Sequence, residues 1–205
     1  LKDKDFEDFV NLYKASKVKI DHKFEIVKGS KILEYYDVDN YAFSERGTLG
    51  SSCMAEVPDS WLYIYRANPD VCNLVILYDN SGKVTDGKYK SNKIVGRALL
   101  WTLSDGKKFV DRIYTIQDSD VQLFREYAKE NGWYTKQYNS SSDSGRAISP
   151  DGTLVDLGTI TVDIISGMYE AYPYLDTLKY FKPREGTLSN VRTGRGDEYT
   201  LEDTS

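Results

Sequence analysis

The order of apolar and polar positions along the chain predicts helices near its start and strands in its middle. Apolar residues recur at helical spacing over 3–14, which predicts an amphipathic helix with acids in its first turn. The pattern at 18–27 then predicts a strand that ends before a short helix at 31–37. Another helical turn is predicted after Pro58.

The middle of the chain carries the clearest signals for a sheet. In order along the chain they predict a central strand at 71–78, strands at 94–103 and 109–115, a helix at 119–131 and a strand at 133–138. Asp105-Gly106, between the second and third of these strands, favours a tight hairpin turn because such turns need positive φ angles. Asn131-Gly132 is typical of a helix end.

The remainder of the chain predicts further, shorter strands. Residues 139–152 are rich in serine and glycine and predict a polar connection. Short strands are expected after it, near 153–157, 159–165 and 172–181. The whole pattern predicts one α+β domain over 1–205, with a mainly antiparallel sheet packed by a few helices. We expect its core at 71–138 and a strand-rich C-terminal extension at 153–190.

Composition narrows the classes of protein to which this chain can belong. Apolar residues make up 40% and charged residues 29%, which is typical of a folded domain. A net charge of −5 and a pI near 5.1 argue against nonspecific coating of nucleic acid. No apolar run approaches the roughly 20 residues of a membrane span, and no secretory leader is present, so we expect a cytoplasmic location and no membrane partner. Leu1 in place of Met leaves open that the chain is a fragment.

Few residues offer catalytic or metal-binding chemistry. His22 is the only histidine, and Cys53 and Cys72 have neither zinc-site spacing nor the density of a disulfide scaffold. A reactive Cys53 with His22 as its base is one interpretation, but a small buried cysteine is far more common. Asp118 and Asp120 have no third acid at a suitable spacing, so we expect them to cap a helix rather than bind a metal. We therefore assign no catalytic residue, no metal and no cofactor.

The predicted hairpin at 94–115 carries the best candidate for a binding site. Pairing across the Asp-Gly turn puts six residues on one face. They are Arg97 opposite Tyr114, Leu99 opposite Arg112, and Trp101 opposite Val110. We expect the other face to pack against a helix, and its residues are Gly96, Ala98, Leu100, Phe109, Asp111 and Ile113. Asp111 would then need a partner inside that packed layer.

Arg97, Trp101, Arg112 and Tyr114 form the predicted ligand-binding face. Two guanidinium groups beside an indole and a phenol can bind a planar or anionic group through bidentate hydrogen bonds and stacking. A phosphate, a nucleotide or a carboxylate would each fit. The alternative is an ordinary half-exposed sheet, on which the arginines reach water or pair with neighbouring acids. A register slip of one residue would move the two arginines to opposite faces.

The order of predicted elements over 71–138 resembles the core of the GNAT-type acyltransferases. The phrase Val-Asp-Arg-Ile-Tyr-Thr at 110–115 stands where that family has its central strand, and Ala-Lys-Glu-Asn-Gly-Trp at 128–133 is similar to the end of the family's helix. The resemblance implies a Gln/Arg-x-x-Gly-x-Gly/Ala loop between them, whose backbone N–H groups hold the coenzyme A pyrophosphate. Here the loop at 116–121 has no glycine and contains two carboxylates, so the decisive motif is missing.

Four stretches also resemble uncharacterised proteins of tailed phages and large DNA viruses. They are Gly-Thr-Leu-Gly-Ser-Ser-Cys-Met at 47–54, Gly-Arg-Ala-Leu-Leu-Trp at 96–101, Asp-Arg-Ile-Tyr-Thr at 111–115 and Tyr-Pro-Tyr-Leu-Asp-Thr-Leu at 172–178. The resemblance implies a viral source, and with it a location in the host cytoplasm. It implies no particular chemistry.

The sequence favours a non-enzymatic recognition or accessory module. Its partner would be a protein or a small anionic ligand, bound through the face of Arg97, Trp101, Arg112 and Tyr114. The alternative is an enzyme related to the GNAT acyltransferases, or another nucleotide-binding enzyme, that uses the same strand face.

Overall fold

The larger of two β-sheets contains the predicted core. The computed structural model describes residues 3–8, 24–79 and 89–201. Seven strands cross the larger sheet in chain order, namely β1 (Phe24–Val27), β2 (Cys72–Tyr78), β3 (Ile94–Thr102), β4 (Lys108–Thr115), β5 (Tyr134–Lys136), β6 (Arg146–Ile148) and β7 (Leu154–Asp156). Neighbouring strands run antiparallel except β4 and β5, which run parallel. The predicted α+β fold with a mainly antiparallel sheet is confirmed.

A second, smaller sheet is built from the C-terminal part of the chain. Its strands are β8 (Thr161–Asp163), β9 (Tyr180–Lys182), β10 (Thr187–Ser189) and β11 (Tyr199–Thr200), in the order β11-β9-β10-β8. The strand predicted at 172–181 is regular only at its end, because 172–179 forms no strand. The Ser104 N–H at the hairpin loop donates to the Thr161 carbonyl (2.8 Å) and so links the two sheets.

The helices are short, with one exception. Residues 3–8 are helical. Further short helices and 3-10 turns lie at Lys31–Glu34, Val38–Asn40, Gly47–Gly50, Asp59–Leu62 and Tyr63–Ala67. The long helix, Asp120–Glu130, agrees with the one predicted at 119–131. Within the described ranges, no helix has both the length and the apolar character needed to cross a bilayer.

The start of the long helix differs from the predicted one in its cap. Ser119 occupies the capping position, and its side chain makes no capping hydrogen bond. Asp120 lies in the first turn instead, where a negative charge is favourable beside the positive end of the helix dipole. Neither Asp118 nor Asp120 is therefore the cap that the sequence suggested.

Parts of two predicted elements lie outside the described residues. They are 9–14 of the first helix and 18–23 of the first strand, and His22 falls in the second of these ranges. The described end of that strand is present as β1.

The central strands are covered on both faces, which explains the continuous apolar run at 71–78. One face packs against the long helix through side chains that include Val75, Leu77, Ala98, Leu100, Val110, Ile113 and Phe124. The other face packs against the short helices and the C-terminal chain, through side chains that include Leu74, Ile76, Trp101, Phe109, Leu175 and Leu178. Gly96 allows the long helix to approach closely, because a Cβ there would lie 2.7 Å from Phe124 Cε2.

Only part of the predicted pairing between β3 and β4 is correct. Arg97 pairs with Tyr114 as predicted, whereas Trp101 pairs with Phe109 rather than with Val110. One extra residue of β4 lies between these two pairs as a β-bulge. The bulge brings Phe109 and the Asp111 carboxylate to the face of Trp101, so the prediction that both lie on the opposite face is wrong.

The loop of the hairpin explains the shifted register. The Leu103 N–H donates to the Lys107 carbonyl (2.8 Å), which leaves three residues in the loop instead of two. Gly106 adopts φ +92°, and the Asp105 carboxylate accepts from the Lys107 N–H (3.0 Å). A loop longer by one residue moves the pairing of the following strand by one position.

Side chains replace a neighbouring strand along the C-terminal half of β4. β4 pairs with β5 only near its start. The side-chain amide of Asn139 accepts from the Ile113 N–H (2.7 Å) and donates to the Ile113 carbonyl (2.9 Å). The Thr48 hydroxyl accepts from the Thr115 N–H (2.9 Å) and donates to the Thr115 carbonyl (3.2 Å). These polar backbone groups are thereby satisfied without a strand.

Asn139→Ala is expected to lower the free energy of unfolding by about 2 kcal/mol, because both polar backbone groups of Ile113 lose their partner. Urea unfolding at equilibrium measures the change. Ser141→Ala in the same loop is the control, since its side chain makes no hydrogen bond within the described chain. Equal stabilities of the two variants would contradict the role given to Asn139.

Candidate functional site

A cluster of arginines, tyrosines and aspartates lies on the sheet face opposite the long helix. β3 and β4 provide its centre, the first third of the chain provides two tyrosines, and the irregular 172–178 segment provides an aspartate. We call it the arginine–tyrosine cluster, and its members are Tyr36, Tyr41, Arg97, Asp111, Arg112, Tyr114 and Asp176.

Arg97 is a buried cation surrounded by aromatic rings. Its residue is 2% exposed, and its guanidinium carbon lies 4.0 Å from the ring centre of Tyr36 and 5.1 Å from that of Tyr114. Nε donates to the Tyr41 hydroxyl (3.4 Å) and Nη2 to the Ser52 hydroxyl (3.3 Å). No carboxylate among the described residues lies within ion-pair distance of it. Ring faces and hydroxyl groups therefore stabilise this charge where an acid usually would.

Arg112, Tyr114 and Asp176 form the part of the cluster nearest to solvent. The Tyr114 hydroxyl donates to Asp176 Oδ2 (2.5 Å), and Arg112 Nη1 lies 3.5 Å from Asp176 Oδ1. The Arg112 side chain is 28% exposed. Arg112 Nε and Asp176 Oδ1 are both buried without a hydrogen-bond partner among the described residues. The ion pair is thus loosely made, since well-formed charged hydrogen bonds are about 2.7–2.9 Å long.

Asp111 connects the cluster to Trp101 and to the C-terminal chain. Its carboxylate accepts from Trp101 Nε1 (3.3 Å), from the Thr177 hydroxyl (2.7 Å) and from the Arg112 N–H (2.8 Å). Lys136 Nζ lies 3.9 Å away and donates to the carbonyls of the 139–144 loop. The partners that the sequence could not supply for Asp111 are therefore three hydrogen-bond donors and a nearby ammonium group.

Burial controls the protonation of the cluster. Burial raises the pKa of Asp176, and the negative charge of Asp111 raises it further, while Tyr114 and Arg112 oppose the change. Burial also raises the pKa of Tyr114, and the Asp176 carboxylate adds to that effect. The pKa of Lys136 is lowered by its burial, against the pull of the two carboxylates. Tyr114 consequently keeps its proton and donates it in a hydrogen bond.

The predicted ligand-binding residues come together, but they do not form an open face. Arg97, Arg112 and Tyr114 are in mutual contact, whereas Trp101 is 1% exposed beneath them. The cavity enclosed by the cluster measures about 10 Å³, which is roughly the space of one water molecule. The expectation that this face of the hairpin points outward is wrong. The 172–178 segment and the short helices cover the face, and the apolar side chains around Trp101 are buried beneath them.

The sequence pattern missed the residues that close the cluster. Tyr36 and Ser52 reach Arg97 from the first third of the chain, and Asp176 reaches Arg112 from a stretch predicted as strand. A signal for some of them was present. The stretches at 47–54, 96–101, 111–115 and 172–178, which the sequence already singled out, each contribute to this one place, for example through Ser52, Arg97, Arg112 and Asp176.

The other chemistry considered from the sequence is not assembled in the described residues. Cys53 is exposed, and its proposed base His22 lies outside the described ranges. No group of three or more His, Cys, Asp or Glu side chains within 3–8, 24–79 and 89–201 could hold a metal ion.

The chain was compared with protein-family models, with curated proteins and with solved structures. None of these comparisons gave a match. What the cluster can do chemically therefore follows from its own geometry.

Asp111→Asn is expected to lower the free energy of unfolding by about 3 kcal/mol, because a neutral amide leaves buried cations without their carboxylate. Chemical unfolding monitored by tryptophan fluorescence measures the loss. Asp163→Asn, at an exposed position of β8, is the matched control and should change stability by less than about 0.5 kcal/mol. Similar losses in both variants would show that Asp111 has no special role.

Proposed function

We propose that this chain is a non-catalytic recognition module that binds an anionic group at the arginine–tyrosine cluster. The observation that carries the proposal is an excess of positive charge at a buried place. Among the described residues, Arg97, Arg112 and Lys136 face the carboxylates of Asp111 and Asp176, and Arg97 lies within ion-pair distance of neither. In a medium of low polarity, such an excess attracts an anion strongly.

The protonation of the cluster supports binding rather than catalysis. A phenol whose pKa is raised keeps its proton at neutral pH and acts there as a hydrogen-bond donor. The guanidinium groups of Arg97 and Arg112 stay charged and supply planar sets of donors. The cluster therefore offers fixed hydrogen-bond donors to an anion.

A viral accessory role is part of the same proposal. The four stretches that resemble phage and large-virus proteins are distant in sequence, yet all of them contribute to the cluster or to the layer under it. This convergence supports the interpretation that the resemblance concerns a shared site rather than scattered positions. The module would then act in the host cytoplasm.

A GNAT-related acyltransferase is the second candidate, and one observation favours it. β4, the long helix and β5 follow one another in the order on which the resemblance rests, and β4 and β5 are a parallel pair within an otherwise antiparallel sheet. Against it, the loop before the long helix has no glycine, and Thr48 and Asn139 already occupy the backbone groups of β4. Gly47 also packs tightly here, since a Cβ on it would lie 2.3 Å from the Thr115 carbonyl oxygen.

The first test of the recognition function is the thermal unfolding midpoint in sodium acetate and in sodium phosphate, each against sodium chloride of the same ionic strength. An anion at ten times its Kd stabilises by about 1.4 kcal/mol, which is about 3 °C for a chain of this length. Arg112→Gln should abolish the shift, because it removes the donor nearest to solvent. Arg192→Gln, at an exposed arginine, should keep it. A shift that survives in Arg112→Gln would overturn the proposed site.

The second test separates the two candidates. Acetyl-coenzyme A at millimolar concentration is expected to give the same unfolding midpoint as buffer alone and as the adenine nucleotide portion of coenzyme A. A saturable rise with acetyl-coenzyme A that exceeds the rise given by its adenine nucleotide portion would favour the acyltransferase instead, because the acyl donor itself would then be bound.

A further inference from the structure

Asp176 reaches the cluster on a stretch of chain without regular structure. The 172–178 segment forms neither strand nor helix and lies across β3 and β4. Buried Leu175 and Leu178 attach it to the core, and Thr177 donates to Asp111. The Leu175 N–H also donates to the Leu201 carbonyl (3.2 Å), so the backbone of the segment is anchored while the Asp176 side chain lies at the cluster.

The contacts of Asp176 are those that a bound carboxylate would make. One oxygen accepts from the Tyr114 hydroxyl at 2.5 Å, and the other faces Arg112 at 3.5 Å without a hydrogen bond. The phenol and the guanidinium together form a pair of donors that matches a planar group with two oxygens. The pairing is incomplete on both sides, since Arg112 Nε also lacks an acceptor among the described residues.

We infer that the ligand of the arginine–tyrosine cluster is a carboxylate, and that Asp176 occupies its position in the unliganded protein. This inference rests on the proposed function and names the ligand class and the gate of the same site. Binding exchanges one carboxylate for another. The incoming group takes the hydrogen bond of Tyr114 and the charge of Arg112, and the Asp176 side chain turns towards water while Leu175 and Leu178 stay in the core.

The geometry favours a carboxylate over a phosphate. The free space beside the donors is about 10 Å³, so a ligand fits only by replacing the group already present, and a carboxylate has the same shape. A phosphate carries up to two charges and needs more donors than Tyr114 and Arg112 supply. The nearby Asp111 carboxylate would also repel its second charge.

Two sources can present such a carboxylate, namely a small organic acid and an acidic side chain of a protein partner. Asp176, which fills the position in the unliganded protein, is itself part of a peptide chain and is flanked by Leu175 and Thr177. Sodium acetate represents the first source. An acetylated and amidated tetrapeptide Tyr-Leu-Asp-Thr, copied from 174–177, represents the second, with Tyr-Leu-Asn-Thr as its control.

The experiment compares the wild-type chain with Asp176→Ala, which vacates the position, and with Asp176→Asn, which keeps it filled. Acetate should raise the unfolding midpoint of Asp176→Ala at concentrations at least tenfold lower than those needed for the wild type, because the internal competitor is gone. Asp176→Asn should respond only at the higher acetate concentrations that the wild type needs. Phosphate at equal ionic strength should have less effect on Asp176→Ala than acetate has. The double variant Asp176→Ala with Arg112→Gln should lose the response.

The results distinguish this inference from the function on which it rests. If Asp176→Ala is no more sensitive to acetate or peptide than the wild type, the inference is wrong, even where the wild type shows a shift that depends on Arg112. If the wild type shows no such shift but Asp176→Ala does, the inference stands and the proposed binding by the unaltered chain fails.

A tetrapeptide more potent than both acetate and its Asn control indicates a protein partner, and a response to acetate alone indicates a small acid. Should Asp176→Ala fail to fold in chloride, refolding yield in acetate against chloride gives the same comparison, and equal yields overturn the inference.

Discussion

The buried carboxylate of Asp111 joins parts of the chain that have no other reason to meet. It accepts hydrogen bonds from an indole of β3 and from a hydroxyl of the C-terminal chain, and it lies beside an ammonium group of β5. A buried charge is stable only when donors surround it, so each of these parts is fixed in position by the same requirement. The bulge in β4 follows from that requirement, because regular alternation would point Asp111 to the opposite face.

Arg97 satisfies the same requirement by different means. Its neighbours Tyr36, Tyr41 and Tyr114 are neutral, and they present electron-rich ring faces and hydroxyl oxygens to the guanidinium group. The high tyrosine content of the chain, 17 of 205 residues, thus has a structural use at this place. Because rings screen a charge without cancelling it, the cluster keeps a positive character that an ion pair would have removed.

Local signals in the sequence were sufficient to predict the strands and the long helix of the core, but not the geometry of the site. The apolar run at 71–78 and the periodicity of the long helix depend on neighbouring residues, so their pattern alone predicts them. The register beyond Ala98 depends on a three-residue loop and on partners of Asp111 that come from far along the chain. The 172–178 segment is apolar and aromatic like a strand. Its residues pack against the cluster and the core, and the backbone hydrogen bond from the Leu175 N–H to the Leu201 carbonyl does not extend into a strand ladder.

The wide separation of the partners of Asp111 has a consequence for the order of folding. Trp101 is ten positions away and Thr177 is 66 positions away. A hairpin of β3 and β4 forms early because its loop is short, and its aspartate is then only half surrounded by donors. We therefore expect this face of the central sheet to stay hydrated during folding until the C-terminal chain docks. Docking of the C-terminal chain would then be the step that excludes water from the core and fixes its side chains.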